Sequence, residues 1–90
     1  MNPAHLALTF RVDKNGTLDA LEAVLAIARR GGLQLAGLQL RSLPAQDAVL
    51  LDLQAAEPDL LDLFMARLHN VIGIDSVEKL YSKYEESVLV

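Results

Sequence analysis

The sequence predicts an α+β fold: two strand–helix–strand units interlocked into a four-stranded antiparallel sheet with both helices on one face. Three observations predict it. The apolar residues alternate with period 2 in three stretches, one of them with a phase slip, and repeat at three- and four-residue steps in two others. The order is strand, helix, strand, strand, helix, strand. The helix-like stretches also begin with turn or proline chemistry and end at glycine, as helix boundaries do. The 90 residues suffice for one small domain, expected over 1–82 with a tail at 83–90.

The first strand is His5–Val12, where Leu6, Leu8, Phe10 and Val12 share one face and Ala7, Thr9 and Arg11 the other. Asp13-Lys14-Asn15-Gly16 is turn chemistry. Thr17 is placed to cap the following helix, and Asp19 and Glu22 suit the positive end of its dipole. Leu18, Leu21, Val24, Leu25 and Ala28 form an apolar stripe, Arg29 and Arg30 sit at the negative end, and Gly31 or Gly32 stops the helix. The second strand, Leu33–Leu43, contains a phase slip. Leu33 and Leu35 have one parity, Leu38 and Leu40 the other. Either Gly37 marks a bulge, or the strand is apolar on both faces; in both cases some leucines are expected to face away from the helices.

Residues Pro44 to Asp47 read as a hairpin connection. The third strand is Ala48–Ala55, with Val49, Leu51 and Leu53 on one face. Glu57-Pro58-Asp59 opens the second helix, because proline in the first turn has no N–H to leave unpaired. Its stripe is Leu60, Leu61, Phe64, Leu68 and Val71, and Asn70–Gly73 end it. The fourth strand is Ile74–Tyr81. Right-handed crossovers of two such units produce the ferredoxin-like arrangement. One sheet face then has no helices, and the leucines of the second strand are expected to demand a cover for it.

Composition narrows the function. The chain is 52% hydrophobic but only 4% aromatic, and a small domain with this much aliphatic surface is expected to associate. Net charge is −4, the eight Lys and Arg are scattered, and only Arg29 and Arg30 are adjacent. No nucleic-acid or membrane partner is expected. No apolar run is long enough to span a bilayer, and the opening MNPAHLALTFRVD lacks a basic segment followed by an apolar one, so no secretory signal is expected. There is no cysteine, which removes disulfides, thiolate metal sites and cysteine nucleophiles. These points are compatible with a cytoplasmic protein.

A search for catalytic groups returns little. His5 and His69 have no partner at metal-ligand spacing, and no serine sits in a nucleophile-elbow context. The glycines match neither a P-loop nor a dinucleotide fingerprint. Asp59 and Asp62 share a helix face and read as solvated acids. No metal site and no catalytic residue are expected, so the chain does not read as an enzyme. The loop Asp13–Thr17 stands out. Gly16 admits close approach to backbone, and helix N–H groups that suit a carboxylate follow it. The alternative is a helix entry with a turn glycine and no ligand.

The loop D-x-x-G-x-L at Asp13, Gly16 and Leu18, within this order of elements, resembles the ACT domain family. RRGGLQLAGLQL at 29–40 and DLFMARLHNVIGIDSVEKL at 62–80 are similar to segments of the small regulatory subunits of acetohydroxyacid (acetolactate) synthase, the short isozyme II type above all. The resemblance spans about residues 5–81. It implies a ferredoxin-like ACT fold and a module that regulates rather than catalyses. It also implies an effector site at Asp13, Asn15, Gly16, Thr17 and Leu18, completed by Gln34 and Leu35 of a neighbouring subunit. Where valine-responsive relatives carry asparagine in the loop, this chain carries Asp13.

The resemblance further implies a homodimer or higher oligomer that activates an acetolactate synthase large subunit in branched-chain amino acid biosynthesis. Thiamine diphosphate, FAD and Mg would belong to that partner and none to this chain. A branched-chain amino acid would be the effector. The alternative is a stand-alone amino-acid-binding ACT sensor that regulates another protein.

Overall fold

The computed structural model describes residues 3–83. Seven elements follow one another: strand β1 (Ala4–Asp13), a 3-10 turn (Lys14–Gly16), helix α1 (Thr17–Arg30), strands β2 (Gln34–Ser42) and β3 (Gln46–Ala55), helix α2 (Pro58–Leu68) and strand β4 (Ile74–Lys83). The sheet is antiparallel with order β2-β3-β1-β4, so β1 and β3 are central and β2 and β4 are edges. This is the ferredoxin-like α+β arrangement that the element order predicts. The tail expected at 83–90 lies, beyond Lys83, outside the described residues.

The alternation in the central strands places the core. Leu6, Leu8, Phe10 and Val12 of β1 and Val49, Leu51 and Leu53 of β3 are buried on the helix-covered face. Ala20, Val24 and Ala28 of α1 and Leu61, Phe64 and Leu68 of α2 close over them at helical spacing. Small residues on α1 let it approach the sheet, while α2 contributes the bulk. Helix α1 ends in a Schellman arrangement. Leu33 N–H donates to Ala28 C=O at 3.0 Å, Gly32 N–H donates to Arg29 C=O at 3.1 Å, and Gly32 takes φ +79. Of the two glycines that the sequence offers as a stop, Gly32 therefore carries the left-handed turn. Pro58 occupies the first turn of α2, and Gly73, at φ +98, turns the chain into β4.

One sequence expectation about β2, the bulge, is met, and another, that some of its leucines face away from the helices, needs correction. The phase slip is a bulge: Leu35 pairs with Leu53 and Gly37 with Asp52, so the extra residue is Ala36. The bulge restores the phase rather than reversing the face. Directly opposed residues share a face of the sheet, and Leu35, Leu38 and Leu40 oppose Leu53, Leu51 and Val49. All three therefore lie on the helix side. They remain 53%, 41% and 54% exposed because β2 is an edge strand that the helices do not cover. The open face of the sheet, expected to be apolar, is mixed: by the same register it carries Thr9, Arg11, Gln39, Arg41, Asp52 and Gln54 beside Ala7, Ala48 and Leu50.

The stripe on α1 is also displaced by part of a turn. Thr17, Ala20, Val24 and Ala28 are buried and Leu21 and Leu25 are half-buried, but Leu18 is 79% exposed. No described helix is long and apolar enough to cross a membrane.

Candidate functional site

The loop after β1 is built around a carboxylate. Asp47 occupies a core-facing position of β3, in phase with Val49, Leu51 and Leu53, and is buried. Its Oδ2 accepts the hydroxyl proton of Thr17 at 2.7 Å, and its Oδ1 accepts from Lys14 Nζ at 3.0 Å. Lys14 Nζ also donates to the Ser42 hydroxyl at the end of β2. One charged cluster thus ties together the 3-10 turn, the start of α1, the end of β2 and the start of β3. The hydrogen bond from Thr17, then that from Lys14, holds the Asp47 carboxyl below its ordinary range, against the opposing effect of burial. Among the described residues, every buried side-chain nitrogen and oxygen has a hydrogen-bond partner.

This cluster changes the role of Thr17. Sequence reasoning made it the cap of α1, but Gly16 occupies the cap position and no side chain caps the helix. The Thr17 hydroxyl points to Asp47, with Asp13 C=O at 3.2 Å and Lys14 C=O at 3.4 Å. The α1 N-terminus is consequently left without a side-chain acceptor. Gly16 adds to its openness. Its φ is −113, which any residue adopts, and a Cβ built there would meet nothing within 4 Å. Neither backbone strain nor packing within the chain demands glycine at this place. Asp13 and Asn15 are exposed on either side, and Leu18 projects into solvent.

Gln34 and Leu35, the other half of the site inferred from resemblance, lie elsewhere. Asp13 pairs with Gln46 at one end of β3, whereas Gln34 pairs with Gln54 near the other. Eight residues of extended chain separate those positions, roughly 26 Å. A single chain therefore brings Asp13, Asn15, Gly16, Thr17 and Leu18 together but not Gln34 and Leu35.

Sequence reasoning missed Asp47, which it left in the hairpin. Its parity with Val49, Leu51 and Leu53 was the available signal, since an acid in a core-facing phase must find partners. His5 lies on β1 and His69 just beyond α2, where its Nδ1 is 2.9 Å from Met65 C=O. No cluster of three potential metal ligands occurs among the described residues.

No protein-family model matches this chain, and a search of curated proteins gives no match either. Solved structures do share the fold. The ACT domain from GTP pyrophosphokinase of Chlorobium tepidum is 18% identical, with a TM-score of 0.68 over 88% of this chain and 100% of that domain. The C-terminal domain of the MgtC protein from Mycobacterium tuberculosis is 12% identical, with a TM-score of 0.69 over 90% of this chain and 87% of that one. The de novo designed protein Foldit4 is 11% identical, with a TM-score of 0.76 over 93% of this chain and 99% of that one. A designed protein among such neighbours shows that this likeness carries architecture and leaves function to the site.

Proposed function

We propose that the chain is a regulatory, non-catalytic ACT-type module that works as a twofold dimer and holds a small amino acid between its subunits. One observation carries the reading: β2 is an uncovered edge that displays Leu35, Leu38 and Leu40 on the helix side, each more than two-fifths exposed. An edge strand with unpaired backbone groups and an apolar flank is a template for another strand.

Antiparallel pairing of two β2 strands about an axis at Leu38 keeps like faces together. With Ala36 set aside as the bulge residue, Leu35 of one copy meets Leu40 of the other, and Gln34 meets Arg41. The start of β2 in the second copy then lies beside Ser42, which Lys14 ties to the loop. The two halves that stand about 26 Å apart in one chain come to the same end of the paired sheet across the dimer, roughly 14 Å apart over three strand spacings. In this arrangement Gly16 and the uncapped α1 N-terminus receive the effector's carboxylate, Asp13 attracts its ammonium group, and Leu35 of the second copy closes the site on the helix side, while Gln34, opposite Gln54, borders it from the open face.

The finer reading follows the sequence resemblance. The module binds and activates the large subunit of acetolactate synthase, and that subunit carries thiamine diphosphate, FAD and Mg. The decisive experiment pairs sedimentation with thermal unfolding in valine, leucine and isoleucine. A dimer whose stability rises by about 2.7 kcal/mol at a hundredfold excess over Kd supports the effector site. A monomer indifferent to all three amino acids overturns it. Activation of a large synthase subunit on reconstitution tests the finer reading separately.

A further inference from the structure

The open face of the sheet contains a feature that the loop site does not use. Arg11 of β1 and Arg41 of β2 are both direct cross-strand neighbours of Ala48 on β3. Two strand spacings put their backbones roughly 10 Å apart, and both side chains stand on the same face with only a methyl group between them. They border a cleft of about 650 Å³ that also includes Gln39, Leu43, Leu50 and Glu78.

Neither guanidinium has a carboxylate within 4 Å among the described residues. Asp75 is the β4 residue opposite Arg11, yet its carboxylate accepts from the Gln46 amide at 3.4 Å instead. Glu78 borders the same cleft, but its carboxylate lies beyond 4 Å of both guanidinium groups, so neither cation has a close counter-charge among the described residues. The same placement suits an oxyanion, because each guanidinium offers a planar fork of donors.

We propose that this cleft binds a small doubly charged oxyanion, a phosphate ester or a dicarboxylate, between Arg11 and Arg41. Leu43 and Leu50 provide an apolar floor for its carbon skeleton. Glu78, on the β4 side, orients any hydroxyl or amine that the ligand carries. The site is distinct from the Gly16 loop and requires no second copy. It stands or falls independently of the effector reading.

The test is a titration of the full chain, isotopically labelled for amide NMR, with inorganic phosphate and separately with succinate. Saturable shifts at the Ala48 and Gln39 amides are expected for at least one of the two, and the stronger binder identifies the class. Arg11→Gln and Arg41→Gln should each weaken that binder by about tenfold or more, since each removes charge-assisted hydrogen bonds. Ala48→Glu keeps both arginines but supplies an internal carboxylate between them, and should abolish binding while leaving the rest of the spectrum in place. Three results would overturn the proposal: no saturable shift at millimolar anion, shifts confined to the Lys14–Thr17 loop, or binding that survives either Arg→Gln variant or Ala48→Glu.

Discussion

Leu40→Asp is the sharpest perturbation of the proposed dimer. Leu40 is 54% exposed in the isolated chain, and a fully buried leucine contributes roughly 2 kcal/mol. The pairing buries the exposed half, about 1 kcal/mol per copy, and twofold symmetry counts the loss twice. Losing about 2 kcal/mol weakens dimerisation roughly 30-fold before any charge is considered. An aspartate set against Leu35 of the second copy adds desolvation to that loss. Sedimentation equilibrium across a concentration series measures the effect. The urea midpoint of the dissociated variant checks that the protomer still folds. Leu63→Asp, at a comparably exposed position on α2, serves as the control and should leave the dimer unchanged. Equal dissociation constants for Leu40→Asp and the parent chain would refute the reasoning, as would dissociation by Leu63→Asp instead.

Other expectations concern the protomer. The Asp47 carboxyl is held below its ordinary range in the folded chain by Thr17 and Lys14, so its contribution to stability is present above the ordinary carboxylate range and is lost as pH falls through the depressed folded pKa. The stability gap between the parent and Asp47→Asn, read from urea midpoints, should be constant near neutrality and close at strongly acidic pH. Gly16→Ala should be neutral or stabilising by about 0.4–1 kcal/mol, because φ is −113 and the space beside it is open, whereas the thermal shift with valine should be lost. Gly32→Ala and Gly73→Ala, at φ +79 and +98, should each cost about 1–2 kcal/mol in chemical denaturation. Phe10→Ala, in the fully buried core, should cost about 3–5 kcal/mol by the same assay.

Much of the fold was legible because its signals are local. The alternation of Leu6, Leu8, Phe10 and Val12 names a strand and its buried face without reference to any neighbour. Pro58 and the Gly31-Gly32 pair mark helix boundaries through their own backbone chemistry. The D-x-x-G loop and the helix entry behind it could likewise be singled out from sequence, although the place of Gly16 rather than Thr17 at the cap, and the role of Thr17, could not. A hydroxyl near a helix start can accept from a backbone N–H or donate to a distant carboxylate. Which it does depends on Asp47, thirty residues away in sequence.

The sequence by itself determined element order, the helix-facing side of each central strand, and the excess of aliphatic surface. Each follows from period and composition along the chain. Only the tertiary structure decided where that surface lies. Leu38 and Leu40 reverse parity in the sequence, but the bulge at Ala36 returns them to the helix side, and the edge position of β2 leaves them uncovered. It also decided that Arg11 and Arg41 flank one alanine, and that the loop and the start of β2 stand at opposite ends of the sheet. Register and strand order join residues through space, and no local pattern encodes that distance.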